Sequence, residues 1–200
     1  MLMKQFFLFG ILFVVSTFVS AQGFDAGIRA GLTATQVSGD RLTGYNKAGV
    51  LLGGFVSRDF SEKISLRFEI LFIQKGSRKP VNTDDNTYYR MRLHYAEVPI
   101  LFLFNATKKI SLEAGPSFGS LVFSQEDNQL GEILGAPAFK KYEISANAGV
   151  LFHLSEHWMA DARYNWSLTT IRPYEGNYNY NFFDQGQYNS VVEAAFLYKF

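Results

Sequence analysis

The 200-residue chain contains no cysteine, which removes disulfide staples and thiolate metal sites together. Its formal net charge is +1, so it has no basic excess to steer it onto nucleic acid. It has only three histidines and five prolines. Convincing helical periodicity is found nowhere in it. After Val19 no uninterrupted apolar run approaches the roughly 20 residues that a membrane-spanning helix needs. A polytopic helical membrane protein, a disulfide scaffold and a nucleic-acid binder are thereby excluded. What the chain has in abundance is aromatic side chains: 20 Phe and 11 Tyr, both strand-favouring.

The N-terminus reads as an export signal. "MLMKQFFLFGILFVVSTFVSAQ" has one early charge, Lys4, then an apolar stretch from Phe6 to Val19, then small residues Ser20 and Ala21. That layout predicts a signal peptide over 1–21, cleaved before Gln22, with residues 22–200 forming one domain. Gln22 is not cysteine, so no lipidated N-terminus is expected.

The remaining chain alternates with period two almost throughout, the signature of strands with two unlike faces. Phe24, Ala26, Ile28, Ala30 and Leu32 fall on one face, and Asp25, Gly27, Arg29, Gly31 and Thr33 on the other. Further stretches follow the same rule: "KISLRFEILFIQ", "LHYAEVPILFLF", "KISLEAGPSFGSLVF", "KYEISANAGVLFHL" and "HWMADARYNWSLT". In the first of these Leu71 and Ile73 break the pattern. "AGVLLGGFVSRDF" is apolar enough that its facing stays open. The last strand sets Val192, Ala194, Phe196, Tyr198 and Phe200 against Glu193 and Lys199 and runs to the final residue.

The connections alternate in length. Tight turns are expected near Asp59–Glu62, Asn105–Lys108 and Ser155–His157, and long polar loops over Ala34–Lys47, Gly76–Arg90, Ser124–Lys140 and Thr170–Gln187. Short turns on one rim and long loops on the other, with an even number of strands, match a bacterial outer-membrane barrel. The expected fold is all-β: an eight-stranded antiparallel up-and-down transmembrane β-barrel after an N-terminal signal peptide, with both termini periplasmic. A soluble lipocalin-like periplasmic barrel, apolar face inward around a ligand, is the alternative. Small residues mixed with both signs of charge on the polar faces, and aromatics near both ends of the apolar faces, favour the lipid-facing solution.

The candidate site is the polar lumen. Arg29, Arg67, Glu69, Glu97, Glu113, Asp161 and Arg163 all point inward by alternation, and Glu143 shares that face. Such charges can pair into a plug that fixes register, or line a small gated pore; narrow eight-stranded barrels are normally filled by side chains. No catalytic, cofactor-binding or metal-binding residue is identified. His94 with a loop serine and Asp85 has no supporting spacing for a triad. "TDDNT" at 83–87 lacks the glycine and bidentate glutamate of a calcium loop. His153 and His157 flank a tight turn and read as solvated. The loop "RPYEGNYNYNFFDQGQYN" has a composition suited to adaptable surface contacts, or to an upper aromatic girdle. The alternating aromatic end, Phe196, Tyr198 and Phe200, reads as the assembly signal seen by barrel-insertion machinery. The expected partners are outer-membrane lipid, that machinery, and an extracellular ligand or envelope protein of unknown identity.

"GIRAGL" (27–32), "SLRFEILFIQKG" (65–76), "LHYAEVP" (93–99) and "EAGPSFG" (113–119) together resemble the PorT-like outer-membrane β-barrel family of Bacteroidetes. Arg67 and Glu69 before "QKG", and Glu97 before Pro99, are the most specific elements. Phe68 stands where a proline is expected, and Ala96 is smaller than the usual aliphatic residue. The resemblance spans nearly all of the chain after the signal peptide. It implies a small outer-membrane barrel and no particular reaction.

Overall fold

The computed structural model describes residues 23–40, 42–81, 87–133, 135–173 and 186–200. The expected signal peptide over 1–21, Asp85 and most of the fourth loop lie outside the described residues. Eight long strands form the structure: β1 (Phe24–Ser38), β2 (Lys47–Asp59), β3 (Ile64–Lys79), β4 (Tyr89–Asn105), β5 (Ile110–Asn128), β7 (Tyr142–His153), β8 (Trp158–Ser167) and β10 (Gly186–Lys199). Two-residue strands β6 (Gly131–Glu132) and β9 (Arg172–Pro173) pair onto β5 and β10.

Each long strand pairs antiparallel with its neighbours in the chain, and β1 closes the ring against β10 from Gly27↔Lys199 to Ser38↔Tyr188. The result is an up-and-down barrel whose eight long strands leave no free edge among them, and closure satisfies the backbone groups that a hydrocarbon environment cannot. The short turns β2–β3, β4–β5 and β7–β8 share one rim with the start of β1 and the end of β10; the four longer connections share the other.

The alternation works as the sequence implies. Ile28, Leu32, Leu52, Phe68, Ile70, Phe102, Phe104, Leu112, Phe118, Ile144, Trp158, Trp166, Val192 and Phe196 point outward, each at least two-fifths exposed. A contiguous apolar exterior of this kind needs a lipid solvent. It rules out the lipocalin-like alternative, whose apolar face points inward. The facing of β2 is settled too: Val50, Leu52 and Val56 face out, Leu51 and Phe55 in.

Three local departures matter. First, the strands outrun the expected loop boundaries: β1 continues to Ser38, β3 to Lys79, and β4 begins at Tyr89. About 9–11 tilted residues cross a bilayer, so β3 with 16 and β4 with 17 extend beyond it. Second, Gly76 has φ +128°, and a Cβ there would lie 2.2 Å from the Met91 carbonyl oxygen. Only glycine fits that turn of the backbone. Third, Pro99 points into the lumen. Lacking an N–H it cannot donate to a ladder, and the β3–β4 pairing is interrupted there between Phe68↔Ile100 and Leu71↔Glu97, in unchanged register. The β4–β5 pairing is likewise interrupted between Pro99↔Ser117 and Phe102↔Ala114 in unchanged register, and it shifts by one residue further along, between His94↔Phe123 and Tyr95↔Leu121.

Candidate functional site: a layered lumen

Moving inward from the short-turn rim, a polar vestibule of about 120 Å³ is lined by Asp25, Asp59, His153, Glu156 and Lys199, with Arg67 at its floor. His153 is half-buried here and shares a 2.8 Å hydrogen bond with Ser111 Oγ. Its expected place as a solvated turn residue is therefore corrected: the strand carries its ring inward. His157 stays on the exposed turn, its Nδ1 2.9 Å from the Lys199 carbonyl oxygen. Phe55, Leu103, Leu151 and Met159 line its walls and, with Leu101 and Leu197, form a buried apolar cluster around it.

The next layer is ionic. Arg29 reaches Glu69 at 2.8 Å, Glu193 at 2.8 Å and Asp161 at 3.0 Å. Arg67 bridges Glu69 at 3.1 Å and also contacts Glu113. Arg163 clasps both oxygens of Glu69 at 2.9 Å, and holds Glu113 at 2.6 Å and Asp161 at 3.0 Å. These residues come from β1, β3, β5, β8 and β10, so the layer ties together strands on opposite sides of the ring. All seven are at most 3% exposed.

A second polar group centres on Lys75, whose Nζ lies 2.7 Å from Glu97 and 3.1 Å from Glu143. Ser117 Oγ and Asn165 Nδ2 donate to Glu97 at 2.6 and 2.7 Å. Ser145, Ser167 and Asn189 donate to Glu143, each at 2.9 Å. The Lys75 ammonium sits 5.2 Å from the Tyr95 ring centre. Across both groups, four cations (Arg29, Arg67, Lys75, Arg163) face six carboxylates (Glu69, Glu97, Glu113, Glu143, Asp161, Glu193).

Beside this group, and beyond it toward the long-loop rim, lies a second apolar cluster: Val37, Leu51, Ile73, Met91, Leu93, Tyr95, Ile171, Val191 and Ala195. A latch closes the rim above it. Arg172 makes paired hydrogen bonds to Glu126 at 2.6 and 2.9 Å, Tyr89 donates to the same carboxylate, and the guanidinium lies 4.3 Å from the Phe139 ring centre. Nearby in the first loop, burial pushes the Asp40 carboxyl above its usual range, and one of its oxygens has no hydrogen-bond partner.

The structure thus brings Arg29, Arg67, Glu69, Glu113, Asp161 and Arg163 into one ionic layer, and places Glu97 in the Lys75 group. Glu193 joins the ionic layer; Lys75, Glu143, Asn165 and Asn189 complete the second. Alternation carries the signal for Lys75, which is eight residues beyond Arg67 on the same face. The terminal aromatics lie on the exterior. Phe196 faces out, and Tyr198 packs 5.0 Å from the Trp158 ring and 6.0 Å from Phe200. Phe200 is 71% exposed, while its N–H donates to the Ala26 carbonyl at 3.0 Å. His94 points outward between Phe72 and Phe123, with ring centres at 5.5 and 4.8 Å, and so faces away from the lumen. Among the described residues no cluster of three or more His, Cys, Asp or Glu could hold a metal ion.

A closed antiparallel ring with an apolar exterior and a polar, side-chain-filled lumen defines a transmembrane β-barrel. The chain matches the outer membrane protein beta-barrel domain family over residues 20–172 and belongs to it. Its structure is similar to that of Ail, the attachment invasion locus protein of Yersinia pestis: 16% identity, 90% of this chain and 100% of that one covered, TM-score 0.51. It is also similar to Neisserial surface protein A, at 15% identity over 90% of this chain and 98% of that one, TM-score 0.52. At such identities the likeness is one of fold. No curated protein matches the chain.

Proposed function

We propose that this protein is a sealed outer-membrane barrel that holds its long loops at the cell surface and conducts no ions. The observation that carries this reading is the stack of layers in the lumen: an apolar layer, two ionic groups, a second apolar cluster and the Tyr89–Glu126–Arg172 latch. A conducting path needs a continuous wet, polar wall. Here each ionic group lies against buried hydrocarbon, so the small-pore alternative finds no support. The charge network acts as a structural plug. Pairs drawn from five strands work only in one register, which opposes the slip of a whole strand by one residue.

The rest of the reading follows from family and sequence. The chain is exported on residues 1–21 and cut before Gln22. Both termini stay periplasmic, and the loops β1–β2, β3–β4, β5–β7 and β8–β10 face outward, where they contact an extracellular ligand or another envelope protein. The barrel falls within the PorT-like group of its family, and its last strand is handed to the insertion machinery through Phe196, Tyr198 and Phe200. No reaction is assigned to it.

Because the chain has no cysteine, single cysteines report topology cleanly. Leu130 is 89% exposed on a long-loop connection, and Glu156 lies on a short turn. On intact cells a membrane-impermeant maleimide is expected to label Leu130→Cys and to spare Glu156→Cys until the outer membrane is permeabilised. Labelling in the reverse order would overturn the orientation.

A further inference from the structure

The exterior wall near the long-loop rim carries a cluster of charge that the sealed lumen does not use. In adjacent cross-strand rows, Arg78 pairs with Arg90 and Arg90 with Asp127; one row lower, Gly76 pairs with Arg92 and Arg92 with Gln125. All three arginines point out of the barrel, since their neighbours Met91, Leu93 and Glu126 are the buried ones. Asp127 holds Arg92 at 2.8 Å and Arg90 at 3.6 Å, and Gln125 donates to its other oxygen at 3.0 Å. The Arg90 and Arg92 side chains are still 47% and 32% exposed. Arg78 makes no ion pair among the described residues. Two guanidiniums thus share one carboxylate with a third standing beside them, a local excess of two positive charges. Directly beneath them stand His94 and Phe123, paired across β4 and β5, with Phe72 set diagonally on β3, at ring-centre spacings of 4.8 Å for His94–Phe123 and 5.5 Å for Phe72–His94.

Aromatic rows of this kind sit at the level where hydrocarbon gives way to headgroups. Arginines one and two rows above, pointing sideways, face the headgroups themselves and not bulk water. Their planar forks match phosphate oxygens in pairs. We propose that β3, β4 and β5 form a docking surface for a lipid with a phosphorylated headgroup, its phosphate between Arg78, Arg90 and Arg92 and its chains against Phe72 and Phe123. Asp127 is the positioning residue: it holds two guanidiniums side by side and leaves their outer N–H groups free. This inference rests on the barrel being membrane-embedded. It does not depend on which rim faces the cell exterior.

The test is lipid retention. The purified full-length barrel is reconstituted in phosphatidylcholine vesicles containing a minor fraction of diphosphoryl lipid A, or of the same lipid with its phosphates removed. It is then extracted in mild detergent, and the bound lipid is measured by native mass spectrometry. The wild type is expected to retain the phosphorylated form preferentially. Anionic surfaces hold each arginine about fivefold more strongly, so Arg78→Gln/Arg90→Gln/Arg92→Gln is expected to lose roughly tenfold or more of that preference, while Arg58→Gln at the other rim keeps it. Equal retention of both lipids by the wild type, or an unchanged preference in the triple variant, overturns the proposal. Should the triple variant assemble poorly, Arg78→Gln alone is expected to cost several-fold, and no change in it is equally decisive. The assay reads docking whichever loops face outward, so its failure and a failure of the assigned orientation are separate results.

Discussion

Arg163→Ala is expected to lower the unfolding free energy of the barrel by about 3–5 kcal/mol, the usual cost of removing one partner from a buried ion pair. Arg163 clasps Glu69 through both oxygens and also holds Glu113 and Asp161. Without it, two guanidiniums are left to face four carboxylates, all at most 3% exposed. Glu193→Gln is the informative contrast. Glu193 pairs with Arg29 alone, and its layer already holds more carboxylates than cations. Neutralising it brings three guanidiniums against three carboxylates, and Arg29 keeps Glu69 and Asp161 as partners. The glutamine variant is expected within about 1 kcal/mol of wild type, as for a change that leaves no charge stranded. Equilibrium unfolding by urea in lipid vesicles compares the two directly. Similar losses for both would mean that contacts are lost without regard to charge balance.

Deleting Phe200, or replacing it with alanine, is expected to reduce the amount of assembled barrel far more than the melting temperature of the barrel that forms. Phe200 is 71% exposed on the exterior beside Tyr198, and its one backbone tie is the hydrogen bond to Ala26. A fully buried phenylalanine is worth only about 1.5–3 kcal/mol, and this one gives up part of that even in lipid. The twelve pairs that close β10 against β1 persist without it. Recognition of an unassembled last strand has no such reserve of contacts. Surface quantity at native expression, read beside the heat-shift of the folded band on gels, separates the two effects. Unchanged quantity with a lowered melting temperature would assign Phe200 to packing alone.

The exterior was legible in the sequence because lipid imposes a single demand on every second residue. Phe24–Leu32, Ile64–Phe72 and Ala96–Phe104 each announce their outward face by alternation, and the inward charges follow from the same count. The inner layers were not legible. Ile73, Leu101, Leu103, Leu151 and Leu197 look like lapses in a pattern that expects a polar lumen. They are instead the buried apolar layers themselves, packed against one another across the ring. Pairing was hidden for another reason. Arg29 meets Glu69 and Glu193 through the stagger of strands around the ring, a quantity set by closure and absent from any one segment. The rim latch and the outer arginines fell in stretches that read as loops. Above the hydrocarbon a strand has no acyl chains on one side, so Tyr89–Arg92 and Gln125–Asn128 lose the alternation that marks a strand while keeping its hydrogen bonds. Pro99 was visible as a residue, whereas the one-residue register shift between His94 and Tyr95 was not.

The central claim is that the lumen is closed by its own side chains, and electrical recording from the purified barrel in a planar lipid bilayer tests it most directly. The fully inserted wild-type protein, its insertion verified by protection of the strands from protease, is expected to leave the membrane at its baseline current across the voltages such bilayers tolerate. Large, stable single-channel steps from that same preparation would contradict the account and make the protein a pore.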